Sequence, residues 1–99
     1  MRPAVFHPEG DAEATEAARY YESQCSGPGL AFLVALDGAV EQIVASPRAF
    51  ALVGSEIRRK PVRRFPYSQF YTIGGTMVRI VAVAHDKRRP DYWHGRLMD

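Results

Sequence analysis

A chain of 99 residues and 11.1 kDa has room for one domain around one small core, so part of its surface is expected to serve a partner. With 46% hydrophobic and 24% charged residues the composition is that of a globular domain, and it excludes a disordered chain. The net charge of +2 conceals an asymmetry: residues 1–54 hold three cations against seven acids, net −4, and residues 55–99 hold ten cations against four acids, net +6, so an anionic partner is expected to meet the C-terminal half.

Ala4-Val5-Phe6-His7 predicts a short strand, stopped by Pro8, whose fixed φ suits the first turn of a helix. The N-terminal MRPAVFHPEG lacks the order of a secretory signal, and no apolar run is expected to reach the length of a membrane span, so a cytoplasmic chain with no membrane partner is expected. From Glu9 to about Gln24, EGDAEATEAARYYESQ is rich in Ala and Glu, with its acids crowded into the first turns; it predicts a helix with Ala14, Ala17 or Ala18, and Tyr21 on one stripe. The lone Cys25 has no partner for a disulfide and reads as a small residue near a helix end.

Ser26-Gly27-Pro28-Gly29 ends that helix. Leu30, Leu33, Leu36, Val40, Ile43 and Val44 then recur at three- and four-residue spacing and predict a second helix to about Ser46, antiparallel to the first. Arg48 to Glu56 predicts no regular structure. Ile57 to Arg64 is strand-like, but Pro61 cannot donate to a ladder and assigns that strand to an edge or a bulge. Pro66-Tyr67 to Ile73 and Thr76 to His85 predict a hairpin around Gly74-Gly75, where a type I′ turn takes positive φ twice. Asp86 to Arg89 reads as a basic loop and Pro90-Asp91-Tyr92-Trp93 as the start of a short terminal turn. With no repeat or linker, residues 1–99 form a single α+β domain: an N-terminal strand, an antiparallel helical hairpin and a three-stranded antiparallel β-meander.

In Met77 to His85, MVRIVAVAH, alternation assigns Arg79, Val81, Val83 and His85 to one face and Val78, Ile80, Ala82 and Ala84 to the other. The wholly apolar face is expected under the helices. The mixed face is expected to border a cleft, joined by Tyr67, Gln69 and Tyr71 of the neighbouring strand. Arg58, Arg59, Lys60, Arg63 and Arg64 place five cations within seven residues. Edge protection needs only a Lys or two, and guanidinium grips carboxylate or phosphate bidentately, so a binding role is expected for an anion that is either nucleic-acid phosphate or an acidic protein segment. His85 reads equally as a general acid or base and as a histidine satisfied by backbone or carboxylate. His7 and His94 read as structural or exposed. Three scattered His with one Cys offer no metal spacing, and neither Gly-rich turn carries the Lys-Ser/Thr of a phosphate loop, so no metal or cofactor is expected.

The succession FHPEGDAEATEAARYYE, a second helix ending ASP, IRRKPVRRFPYSQFYTI, VRIVAVAH and RRPDYW resembles the RelE/ParE superfamily of toxins from bacterial type II toxin–antitoxin systems, often labelled plasmid-stabilisation proteins. The resemblance runs from Val5 to about Trp93. It implies the fold outlined above, growth inhibition, and neutralisation by a cognate antitoxin in a hetero-oligomer. RelE-like members cleave mRNA on the ribosome; ParE-like members poison DNA gyrase without catalysis of their own. Cleavage through the 2′-hydroxyl needs a base, an acid and cations. Under that reading His85, Tyr92 and Lys87 form the catalytic set, with Arg58, Arg63 and Arg79 as further cations. The chain departs from the ribonucleases, which carry an arginine just after the last strand and a tyrosine six residues on: Lys87 and Trp93 stand there, with Tyr92 one position off. The YYE helix and the run from RRFPY to HDKRRPDYW are closer to ParE-like members. The surface implied for target or antitoxin comprises Arg58, Arg59, Lys60, Arg63, Arg64, Tyr67, Tyr71, Arg79, Arg88, Arg89 and Trp93, and the bound anion is either the acidic, amphipathic C-terminal segment of the antitoxin or the target itself.

Overall fold

The first strand runs into the first helix with one residue between them. In the computed structural model, which describes residues 4–88 and 91–98, β1 is Ala4–Phe6 and α1 is Pro8–Gln24. The residue between, His7, is the N-cap: it is buried, and its Nδ1 accepts the Glu9 N–H at 3.1 Å while Pro8 fills the first turn.

The second helix, α2, is Pro28–Ala45, and its cap Gly27 has φ +114, a value open to glycine. No side chain of the cap residue closes α2. Glu22 does so from the end of α1: its Oε1 accepts the Gly29 N–H at 2.9 Å and its Oε2 the Gly27 N–H at 3.1 Å, which sets a carboxylate against the positive end of α2. The helices touch closely here, since a Cβ on Gly29 would lie 2.7 Å from the Ala18 carbonyl oxygen.

Burial on α1 follows the expected stripe, with Gly10, Ala14, Ala17 and Ala18 inside. On α2 it does not: the buried residues are Gly29, Phe32, Leu36, Ala39 and Ile43, while Leu30 and Leu33 are exposed. So apolar a helix carries two possible stripes, and the one containing the large Phe32 ring, which meets Tyr21, Phe65 and Tyr67, takes the core. Contrary to expectation, α2 is also long and apolar enough, by length and composition alone, to cross a bilayer; here one of its faces packs on the rest of the domain.

Four further strands follow: β2, Ala51–Leu52; β3, Ile57–Pro61; β4, Tyr67–Gly74; and β5, Met77–His85. The sheet order is β1-β5-β4-β3-β2. The expected meander is β3-β4-β5, and two additions flank it. β1 lies parallel to β5, and β2, in a segment expected to be irregular, pairs with Arg58 and Arg59. β3 is therefore covered over those residues, and Pro61 closes it beyond the reach of β2. Gly74 pairs with Met77, so the turn is Gly75-Thr76 and positive φ falls on Gly75 alone, at +55, rather than on both glycines.

The alternation expected along β5 is broken. Phe70 pairs with Ala82 but Tyr71 with Ile80, leaving Val81 as the extra residue of a bulge. Val78, Ile80 and Val83 enter the core beneath the helices with Phe32, Leu36 and Tyr71, whereas Val81 and Ala82 join Ile57 and Trp93 in a second cluster on the far face. Val83 and His85 thus lie on the helix side, not on an open mixed face, and Tyr67, Gln69 and Tyr71 opposite them face the helices too. Gln69 is fully buried, and neither end of its amide has a partner among the described residues. Replacing it by the near-isosteric Met removes an unsatisfied polar group and should stabilise the fold by about 1 kcal/mol, raising Tm by about 4–8 °C in a thermal melt; a lower Tm would show that the amide is engaged.

Candidate functional site

The five clustered cations have four different surroundings. Arg58 Nη1 donates to the carbonyl oxygens of Phe50 at 2.7 Å and Arg48 at 3.1 Å, and the Tyr71 hydroxyl donates to Pro47 O at 2.7 Å; together they tie down the segment after α2. Arg59 pairs with Asp86 at 3.2 Å, whose Oδ1 also accepts from the Ser68 hydroxyl at 2.7 Å. Lys60 sits over the Phe50 ring, 5.0 Å from its centroid. Arg63 and Arg64, in the loop from β3 to β4, are exposed and make no hydrogen bond or ion pair among the described residues.

A groove of about 670 Å³ opens beside those last two. One wall is α2, from Gly27 to Gln42, with Ala31, Ala35, Gly38 and Ala39 as its floor; the other is Lys60, Arg63, Arg64 and Phe65. The small residues let a partner backbone approach closely. Leu30 at 68% and Val34 at 62% exposure leave apolar surface in water, and every charged residue on the walls is a cation.

A different centre governs the other end of the molecule. Glu13 of α1, with a side chain 13% exposed, gathers donors from β5 and the C-terminal turn. Its Oε1 accepts the Val83 N–H at 3.0 Å and Arg96 Nη1 at 2.8 Å; its Oε2 accepts the Tyr92 hydroxyl at 2.6 Å and Arg96 Nη2 at 3.1 Å. Arg88 lies 3.9 Å away, and Arg96 also donates to Val81 O at 3.1 Å. The segment so held continues into a 3-10 turn, His94–Met98. It seats Trp93, 5% exposed, against Phe70 at 5.5 Å between centroids.

This placement decides what the acid–base candidates can do. Tyr92 is pushed well above the ordinary phenol range, first by burial and then by its bond to Glu13, so it resists giving up its proton. His85 Nδ1 accepts the Lys87 N–H at 3.0 Å, which leaves the ring proton of the neutral form on Nε2. Its ring meets Tyr67 at 5.2 Å. His85 borders two clefts: one of about 360 Å³ with Glu16, Tyr20, Tyr67 and Arg88, and one of about 460 Å³ with Arg59, Asp86, Tyr92 and Trp93. Arg88 covers the Tyr92 ring at 3.8 Å, Arg79 Nη1 donates to Arg96 O at 3.3 Å, and the Lys87 side chain is exposed. Arg89 lies outside the described residues. Glu13 and Glu22, which organise both ends of α1, carried no signal beyond acids favoured in a helix; Arg96 counted only as one more cation. No group of three His, Cys, Asp or Glu able to hold a metal occurs among the described residues.

No family model and no curated protein matches this sequence. Among solved structures, a chain from one described as "Chromosomal ParDE TA system from P. aeruginosa" aligns with a TM-score of 0.66 at 19% identity, over 86% of this chain and 96% of that one. The fold is RelE/ParE-like. Within this RelE/ParE-like fold the basic groove and the Glu13 centre are separate, one built on α2 and the β3–β4 loop, the other on α1, β5 and the C-terminal turn.

Two measurements test the Glu13 centre. Glu13→Ala strands the Tyr92 hydroxyl and the Val83 N–H and leaves the Arg96 guanidinium only Val81 O and the exposed Glu9 carboxylate, and should cost about 3 kcal/mol, with the fluorescence of the single tryptophan, Trp93, reporting release of the turn. The raised Tyr92 pKa means that the folded state keeps a proton which the unfolded chain loses near pH 10. Stability from this group is therefore complete below about pH 10 and is lost as pH rises beyond it. Tyr92→Phe should flatten the decline of the denaturation midpoint between about pH 9.5 and 11; an unchanged slope would place the alkaline loss elsewhere.

Proposed function

We propose that this chain is the toxin of a type II toxin–antitoxin pair, held inactive when an acidic, amphipathic segment of its cognate antitoxin lies in the groove beside α2. The observation that carries the reading is the groove itself: exposed Leu30 and Val34 beside Arg63 and Arg64, two guanidinium groups with no partner among the described residues. Apolar surface bordered by unspent cations suits a partner helix with an apolar stripe and an acidic flank. The likeness to a chain of a ParDE system supports the same reading.

For the target, the geometry favours binding over catalysis. A ribonuclease of this fold would need a proton donor and acceptor facing a cationic cleft. Tyr92 is bound to Glu13 and held away from ionisation, and Arg59 is paired with Asp86. ParE-like inhibition of DNA gyrase is therefore the activity proposed, in preference to RelE-like cleavage of mRNA on the ribosome. Expression without antitoxin should stop growth with supercoiling lost and messages intact, and His85→Ala should remain toxic. Messages cut at codon-related sites, with cutting slowed about 10²–10⁴-fold by His85→Ala, would replace this reading with the ribonuclease. Ala35→Glu, which puts bulk and negative charge into the groove floor, should leave toxicity intact and prevent rescue by a co-expressed antitoxin.

A further inference from the structure

The loop from β3 to β4 is closed by the Val62 N–H, which donates to Tyr67 O at 2.8 Å. Inside it Arg64 has φ +73. A side chain with a Cβ is disfavoured in that left-handed region, where hairpin loops ordinarily place Gly or Asn. The other described non-glycine residue with positive φ is Asp91, of a type that tolerates it better.

Nothing among the described residues compensates Arg64. It is exposed and has no hydrogen bond, ion pair or ring contact among the described residues. Its neighbours in the basic run are committed elsewhere: Arg58 to two carbonyls, Arg59 to Asp86, Lys60 to the Phe50 ring. Among the described residues only Arg63 and Arg64 present guanidinium groups to the groove unpaired, and Arg64 does so from a strained backbone. Strain without internal compensation is characteristic of positions where the side chain serves a ligand.

We propose that Arg64 reads a carboxylate on the segment that occupies the groove, and that its left-handed conformation is kept, at the expense of the free protein's stability, because Gly or Asn there would remove that guanidinium. Arg64 is thus the residue that makes the groove select an acidic segment over a merely apolar one. The inference rests on the groove being the docking site proposed above.

The probe is a synthetic amphipathic helical peptide of about 20 residues, with Leu at three- and four-residue spacing and Glu along one flank, compared with the same peptide carrying Gln for Glu. The full-length wild-type chain should bind the Glu peptide at least about tenfold more tightly than the Gln peptide. Arg64→Asn should lose most of that preference, the remainder belonging to Lys60 and Arg63, and melt about 4 °C higher. Arg64→Lys, which keeps the charge and the strain but loses the bidentate fork, should retain part of the preference and the wild-type Tm. An undiminished Glu preference in Arg64→Asn overturns the assignment of Arg64, while the groove reading survives if Ala35→Glu abolishes binding of both peptides. A Tm for Arg64→Asn at or below wild type overturns the trade between strain and binding. If neither peptide binds, or if Ala35→Glu leaves binding intact, the groove reading falls and the inference with it.

Discussion

The architecture turns on one carboxylate. β1 covers β5 only from Val78 to Ile80, so the remaining edge of β5 would present unpaired backbone polar groups beside α1. Glu13 takes the Val83 N–H, Arg96 supplies a donor to Val81 O, and the two side chains are themselves joined. An incomplete strand pairing is thereby finished by side chains. Burying such an ion pair is tolerable only because each oxygen of Glu13 has two donors and Arg96 has several acceptors. The same bonds fix the C-terminal turn, place Trp93 on Phe70, and so set the composition of both clefts around His85.

The sheet consequently has two unlike faces. The helix side contains most of the core and, at its margin, the groove lined by Arg63 and Arg64. The far side is closed by a smaller cluster of Ile57, Val81, Ala82 and Trp93. The bulge at Val81 makes this possible by giving β5 apolar side chains on both faces, where strict alternation would have placed Ala82 under the helices and left Val83 outside.

Much of this was legible locally. The Ala- and Glu-rich helix, the stop at Gly27-Pro28-Gly29 and the hairpin at Gly74 and Gly75 are marked by residues whose backbone preferences act over a few positions. What escaped was non-local. MVRIVAVAH is uniformly apolar between Arg79 and His85 and contains nothing that marks a bulge. β2 depends on Arg58 reaching back to Arg48 and Phe50, and Glu13 meets Arg96 across 83 positions of sequence. Five cations within seven residues looked alike on paper; their neighbours in space set Arg58, Arg59 and Lys60 apart from Arg63 and Arg64. Trp93, which appeared as contact surface, lies buried, and Tyr71 is a buried structural donor.

The separation of the two charged regions has a consequence for ionic strength. The pair formed by Glu13 and Arg96 is largely removed from solvent, at 13% and 11% side-chain exposure, so mobile ions screen it weakly. Arg63 and Arg64 stand exposed with no counter-charge among the described residues, where screening sets in over roughly 8–10 Å at physiological salt. Under the proposed function, salt should therefore weaken association with an acidic segment in the groove while leaving the Glu13–Arg96 pair, and the turn it holds, in place.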